Sequence, residues 1–318
     1  MQVEIAARAR LHLGFLDLSG SGERRFGGIG LSISRPRVLM KIEAREGSLE
    51  VRGAQAERIR QLAERFYEAA GVPRGAAIRI EEAIPEHVGL GSGTQTALAL
   101  AAGLARLHDL ELPPDRLAVM MGRARRSGIG YHTFLRGGFV VEGGHPANAS
   151  AEEPDAPPPL LTRHEFPEDW RIVLLLPAAA RTISGAAEEE AFRRLPPVDD
   201  TTSGALARIV LMRLLPALVE RRLRPFGEAL AGVQAILGTC FAAVQKGVFH
   251  PAGALLAQSL KQAGALGVGQ SSWGPAVYAF AADEREEERL RSVALEVDPR
   301  AAVVAARGLN RGASVEAG

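Results

Sequence analysis

The chain has 318 residues, 47% of them apolar and 24% charged, with a formal net charge of +1; this is a globular rather than a disordered or fibrous composition, with no global field for nucleic acid or an anionic membrane. Its length favours two domains over one core. The single cysteine, Cys240, excludes an internal disulfide and a cysteine-rich zinc site, and with no signal-type run or stretch of ~20 uninterrupted apolar residues the expectation is a cytoplasmic protein that binds neither membrane nor nucleic acid.

Val3, Ile5, Ala7, Ala9, Leu11 and Leu13 alternate with other residues at the period of a half-buried strand, which sets Arg8, Arg10 and His12 on one face. RFGGIG reads as a glycine-rich turn, VLMKIEA and LEVRG as strands, and 57–70 as a helix stopped by Gly71. After a strand in AIRIEEAI comes PEHVGLGSGTQ, with an alanine-rich helix opening at about Thr94 and a further helix over 114–125 begun by Pro113 and Pro114. GGFVVEGG is a strand between glycine pairs, and 145–159, with five prolines and almost no large apolar residue, is a linker or a long surface loop. Beyond it WRIVLLLP and AVYAFAA read as strands, GVGQSSWGP as a loop, and helices are expected near 187–195, 203–222, 225–246, 251–264 and from Glu284. No internal repeat is visible. The pattern is that of an α+β protein with domains at 1–160 and 161–318.

The loop PEHVGLGSGTQ carries the clearest chemistry. Amides at a helix N-terminus point outward unpaired and the helix dipole adds positive potential, so an anion is the natural guest. Gly89, Gly91 and Gly93 let oxygens approach the backbone. No Gly-Lys-Ser/Thr follows, so this is not a Walker loop, and the setting is not that of a dinucleotide fingerprint. A tight turn with packing glycines is the competing reading.

The loop resembles the second motif of the GHMP kinase superfamily. ARLHLGF, with Arg10, His12 and Gly14, resembles the first, and GALGVGQSSWGP, from Gly264 to Pro275, resembles the third. The resemblance spans the chain. It implies an N-terminal domain with a left-handed βαβ crossover, a C-terminal ferredoxin-like domain, and ligands between them. The kinases with a carboxylate base carry an aspartate directly after Ser-Gly-Ile; here Gly130 follows Ser127, Gly128 and Ile129. The expected magnesium-binding glutamate is missing from 116–129, and the second serine of the usual GLGSS is Gly93. Phosphoryl transfer depends on positioning and metal-assisted charge stabilisation. The sequence keeps the anion loop without those parts.

RARLHLGFLDL, RFGGIGLSI, GLGSGTQ, SGIGYHTFLRGGFVVEGG, ISGAAEEEAF and GVGQSSWGP are similar to the blocks of one branch, the β-ribofuranosylaminobenzene 5'-phosphate synthase family of tetrahydromethanopterin biosynthesis. That resemblance implies condensation of phosphoribosyl pyrophosphate with 4-aminobenzoate or 4-hydroxybenzoate, with release of pyrophosphate and carbon dioxide. His12, Ser92 and His132 are the catalytic candidates. Substrate and phosphate contacts are expected from Arg10, Gly89, Gly91, Ser92, Gly93, Thr94, Gln95, Arg126, Ser127, Gly130, Tyr131, Gln270, Ser271, Ser272 and Trp273. Trp273 and Tyr131 either offer a flat surface to the benzoate or pack internally. Arg125, Arg126, Arg136 and the face of Arg8, Arg10 and His12 are the available cations for a 5'-phosphate. Magnesium is the expected metal, with no organic cofactor; its ligands stay unassigned, since the run Glu188, Glu189 and Glu190 suits a solvated helix start better. Val198 to Gly204, VDDTTSG, reads as a turn and helix cap rather than a ribose grip. The expected partners are small-molecule substrates and a second copy of the chain in a homodimer. An ATP-dependent small-molecule kinase and a non-catalytic phosphate-ligand binder are the alternatives.

Overall fold

The computed structural model describes residues 1–18, 22–148, 156–178, 190, 193–196 and 198–318. Two sheets organise these residues. In the first, β1 (Gln2–Asp17) and β2 (Arg24–Ala44) pair antiparallel along their length. β3 (Leu49–Gly53) and β4 (Ala76–Glu82) are parallel and joined through helix α1 (Ala56–Ala70), and with β12 (Ser314–Ala317) the order is β12-β1-β2-β4-β3. The expected glycine-rich turn at RFGGIG lies instead within β2, where Gly28 and Gly30 pair with β5 (Phe139–Glu142). A Cβ at Gly30 would meet Ile129 Cγ2 at 2.1 Å, so the glycine serves close packing rather than chain reversal.

Helix α2 (Ser92–Leu107) is apolar nearly all round and lies against β1 and β2. Gly103 lets it approach closely, since a Cβ there would meet Ile5 Cδ1 at 2.4 Å. The expected helix at 114–125 stops as α3 (Pro114–Met120), because Gly122 and Ala124 take left-handed backbone angles of 62° and 61°. An irregular segment then leads to α4 (Ile129–Arg136). Of the stretch 145–159, β6 (His145–Pro146) pairs with Arg24 and Arg25 of β2.

The second sheet has the order β11-β8-β10-β9, from β8 (Arg171–Leu176), β9 (Leu266–Gln270), β10 (Val277–Ala281) and β11 (Ala302–Arg307). All its pairings are antiparallel, and the order is the ferredoxin-like arrangement implied by the resemblance. Part of the expected loop GVGQSSWGP is therefore strand β9. Helices α5 (Asp200–Ile209) and α6 (Leu215–Val219) are joined by a π-helical turn (Val210–Leu214), and α7 (Leu223–Gln245) follows. α7 buries Phe226, Leu230, Val233, Leu237 and Phe241 on one stripe. The spans Asp200–Val219 and Leu223–Gln245 are each long and apolar enough to cross a membrane by length and composition alone, but neither is an uninterrupted apolar run, as expected from the sequence. α8 (Pro251–Gln262) and α9 (Glu284–Val297) cover the other face of the sheet, where Leu256, Leu260, Leu290 and Ala294 join Val173, Leu175 and Val277. Burial on both faces explains the unbroken apolar run IVLLL in β8.

The sheets do not divide cleanly at residue 160. β7 (Leu160–His164) pairs with β5, and the C-terminal β12 (Ser314–Ala317) returns to pair with β1, so both ends of the assigned second domain complete the first sheet. One hydrophobic cluster runs from Val3 and Leu13 of β1 to Phe226 of α7 and Phe280 of β10. The expected helix near 187–195, with Glu188 and Glu189, lies largely outside the described residues.

Candidate active site

Three glycine-rich segments far apart in sequence meet at Gly89. The Arg10 guanidinium donates to the Gly89 carbonyl at 2.6 Å, and the Arg10 amide donates to Leu90 O at 3.1 Å. The Ser271 hydroxyl donates to the same Gly89 carbonyl at 2.8 Å and accepts from the His12 amide at 3.1 Å. Ser272 N donates to His12 O, and Ala276 N to Val88 O. The fit is close enough that a Cβ at Gly89 would lie 2.2 Å from Ser271 O, and one at Gly274 2.2 Å from Val88 O. Two register shifts in β1, between Arg8 and Arg10 and between His12 and Gly14, bracket the residues that make these contacts. Irregularities of this kind re-aim side chains. Arg8 goes elsewhere, donating to Ser34 O and sharing its surroundings with Arg37 and Glu82.

The loop ends in the N-cap of α2, Gly91, whose φ of 77° is left-handed. Thr94 N and Gln95 N both donate to Gly91 O. The amides of Ser92 and Gly93 make no hydrogen bond among the described residues and are the ones open to an anion. A Cβ at Gly93 would meet Arg58 Nη2 at 3.1 Å and Arg123 Nη1 at 3.4 Å, so the glycine that replaces a serine leaves room for two guanidinium groups. Beside them, Arg65 Nη2 and Arg125 Nη2 approach Gly122 in the same way, at 2.9 and 3.4 Å. Burial, and then the charges of Arg58, Arg65 and Arg125, pull the Arg123 pKa down to about 10. Of the four, Arg125 alone was expected near phosphate. Arg58 and Arg65, seven residues apart on α1, read in sequence as an ordinary solvated helix face. Arg126 lies in the same segment, half-buried.

Gly130 sits directly on the loop. A Cβ at this position would meet Thr94 Cγ2 at 2.9 Å, and Gly130 O accepts from the buried Gln95 Nε2 at 2.8 Å. The place of a carboxylate base is thus filled by the Thr94 side chain. Its neighbours in α4 turn away from the loop. Buried Tyr131 donates its hydroxyl to Asp115 and lines a separate pocket with Leu98, Ala102 and Leu117, so it packs rather than facing an acceptor. His132 Nε2 is 2.7 Å from Pro158 O, with its pKa lowered by burial, and Arg136 is exposed at the far end of α4. These contacts do not bring His132 or Arg136 to the loop. Ser127 Oγ accepts from Ile129 N. Behind this turn lies Glu142, fully buried, accepting from Gly128 N at 3.4 Å and Gly144 N at 2.6 Å; burial raises its pKa to about 7 against those hydrogen bonds.

On the other side of His12 is a narrow cavity of about 20 Å³ between β1, α7 and the 270–273 turn. His12, Phe15, Phe241 and Trp273 form its aromatic wall, with His12 and Phe15 rings 4.5 Å apart and Phe241 and Trp273 rings 4.7 Å apart. Its polar lining is Gln234, Gln245, Gln270 and Ser272, with no charged side chain. Gln234 donates to Leu13 O and accepts from Gln270 N; Gln270 donates to Gln245 Oε1 and Ser272 O and accepts from His250 N. Gln270 and Ser271, expected to hold substrate, therefore spend these polar atoms on bracing. His12 is 4% exposed, its pKa is pushed down to about 3 by burial and then by Arg10, and Nε2 has no hydrogen-bond partner among the described residues. It is a neutral imidazole with one nitrogen to offer.

Around the loop, the described residues offer no set of side chains that would hold a magnesium ion by themselves. Among the described residues no three His, Cys, Asp or Glu side chains converge. Glu190, the described acid of the 188–190 run, pairs with Arg193 and Arg194, and the carboxylate within the loop, Glu86, is paired with Arg58. Asp199 accepts from Thr202 N as the cap of α5, as VDDTTSG suggested.

Residues 57–138 match the GHMP kinase N-terminal domain family, and 214–297 the GHMP kinase C-terminal family. The chain is 33% identical to a β-ribofuranosylphenol 5'-phosphate synthase of Methanothermobacter thermautotrophicus, over 98% of both chains. It is also 33% identical to the synthase of that name from Archaeoglobus fulgidus, over 97% of both. Among solved structures it is similar to mevalonate kinase of L. major in complex with R-mevalonate (TM-score 0.72, 14% identity, 96% of both chains). A homoserine kinase from Cytophaga hutchinsonii shares the fold likewise (TM-score 0.69, 15% identity, 99% of this chain and 97% of that one).

Proposed function

The chain belongs to the β-ribofuranosylphenol 5'-phosphate synthase family, built on paired GHMP kinase domains, and from that premise we propose that it joins the ribosyl carbon of phosphoribosyl pyrophosphate to the ring of 4-hydroxybenzoate or 4-aminobenzoate. The observation that carries the reading is the joining of an anion-binding loop, through Gly89, Ser271 and His12, to a neutral aromatic-walled cavity. The bond from the anomeric carbon to the diphosphate breaks, and pyrophosphate leaves with the electron pair. The Ser92 and Gly93 amides meet the charge that develops on the departing oxygens. The ring carbon bearing the carboxylate attacks the oxocarbenium-like carbon, assisted by its para oxygen or nitrogen. The carboxylate then leaves as carbon dioxide, returning its electron pair to the ring.

No strong base is needed in this sequence, which suits Gly130 and a neutral His12. The para group of the acceptor hydrogen-bonds His12 Nε2, and the ring lies against Trp273 and Phe241, which part to widen the narrow cavity as it enters. With no cation in the cavity lining, the carboxylate is poorly solvated until it leaves as a neutral molecule. Magnesium in this reading arrives on the diphosphate as part of the substrate. The test is product identification: protein given phosphoribosyl pyrophosphate and either benzoate should yield a carbon-linked ribosyl phenol or aniline 5'-phosphate by mass spectrometry. Its absence with both acceptors, alongside ATP-dependent phosphorylation of a polyol, would replace this reading with a kinase.

A further inference from the structure

Arg123 carries a charge that no described acid pairs with. It is half-buried, it makes no ion pair or hydrogen bond through its guanidinium among the described residues, and its Nε is fully shielded from solvent. Around it stand Arg58, Arg65 and Arg125. The acid in contact with the group is Glu86, paired with Arg58, while Arg65 Nε donates to the Met120 carbonyl at 2.7 Å. Four guanidiniums against one carboxylate leave three uncompensated positive charges beside the open amides of Ser92 and Gly93. Like charges held together repel, and burying them adds a desolvation cost. A folded chain keeps such an arrangement where a polyanion completes it.

We propose that Arg58, Arg65, Arg123 and Arg125 form, together with the Ser92 and Gly93 amides, one diphosphate site, in which the guanidiniums hold the charge that the diphosphate carries as it leaves. The polyanion site follows from the arginines themselves; its identity as the leaving diphosphate rests on the function proposed above. The fork of Arg123, free of partners among the described residues, is the clearest ligand in it. Arg58 and Arg123 reach the loop over Gly93, while Arg65 and Arg125 extend the site toward Gly122.

The experiment is calorimetric titration of inorganic pyrophosphate, phosphoribosyl pyrophosphate and ATP into wild-type protein and Arg123→Met, with the Tm of each protein measured with and without pyrophosphate. Arg123→Met keeps the buried stem and removes the repulsion, so its unliganded Tm is equal to or above wild type, while pyrophosphate affinity falls by about ten-fold or more and the ligand-induced rise in Tm shrinks. Arg123→Lys, which keeps the charge and loses the fork, gives an intermediate affinity. Arg125→Met, exposed and less disruptive, weakens binding by a few fold and carries the test if Arg123→Met is recovered unfolded. Pyrophosphate affinity within two-fold of wild type (a difference of about 0.4 kcal/mol) in the folded arginine variants would overturn the proposal. Tighter arginine-dependent binding of ATP than of phosphoribosyl pyrophosphate would keep the polyanion site and overturn its assignment to the ribosyl donor.

Discussion

The two sides of the Gly89 junction solve opposite problems. Toward Gly93 the protein gathers uncompensated positive charge, with Arg58 and Arg123 over a helix N-terminus. Toward Trp273 it excludes charge, keeping His12 neutral and lining a cavity with aromatic rings and braced glutamines. In the proposed reaction a scaffold shared with kinases separates a region suited to a leaving anion from one suited to an aromatic ring. The difference explains why one substitution, glycine at 93, matters twice: it removes a hydroxyl and admits two guanidiniums.

The contrast can be broken most severely on the anion side. Gly91→Val forces a branched side chain into a left-handed conformation and against Arg10, 3.0 Å away; we expect a roughly hundred-fold or greater loss of pyrophosphate affinity, checked by calorimetry, with far-ultraviolet circular dichroism retained. Gly130→Asp would restore a carboxylate where kinases have one, but it must displace Thr94. We expect synthase turnover to fall about ten-fold or more with no ATP-dependent phosphorylation gained, and a gain would show that the loop still serves a kinase. On the neutral side, Trp273→Ala should raise KM for the aromatic acceptor while leaving pyrophosphate affinity unchanged, and lower stability by about 3 kcal/mol in urea unfolding.

Two smaller effects are set by pH. Glu142 has a raised pKa in the folded state, about 7 against an ordinary 4.5, so its contribution to stability is fully present below 4.5 and is lost as pH rises through 7. Glu142→Gln should flatten the fall in stability between pH 4.5 and 7 seen in urea melts. His12, neutral in the fold, should contribute no ionisation to kcat between pH 5 and 8; an inflection there that vanishes in His12→Gln would contradict its assignment as a neutral hydrogen-bonding group.

Much of the first sheet and the helices were legible because their signals are local. Val3 to Leu13 alternates at the strand period, α1 ends at Gly71, and α7 carries a clean apolar stripe. The errors occur where distant partners decide the structure. RFGGIG looks like a turn until β1, β5 and Ile129 pack on both sides of it, and LGVGQ looks like a loop until β10 pairs with it. β7 is short and half-exposed and β12 short and exposed, both without a strong pattern of their own. For the site, glycine spacing located the loop, and motif order brought Arg10, His12 and Trp273 to it. The same reasoning placed Tyr131 and His132 there too, because sequence adjacency to Gly130 does not fix which way α4 turns its side chains. It passed over Arg58, Arg65 and Arg123, whose significance comes from convergence of α1 with the 122–126 segment rather than from any run in the chain.

The central claim is that diphosphate departure and decarboxylation occur in one reaction across these two regions. Phosphoribosyl pyrophosphate and carboxyl-labelled 4-hydroxybenzoate, incubated with the protein in the presence of magnesium, test it by simultaneous measurement of pyrophosphate and labelled carbon dioxide. The account predicts their release in equal amounts, each dependent on both substrates. Pyrophosphate release without carbon dioxide, or no release of either with that acceptor or with 4-aminobenzoate, would contradict it.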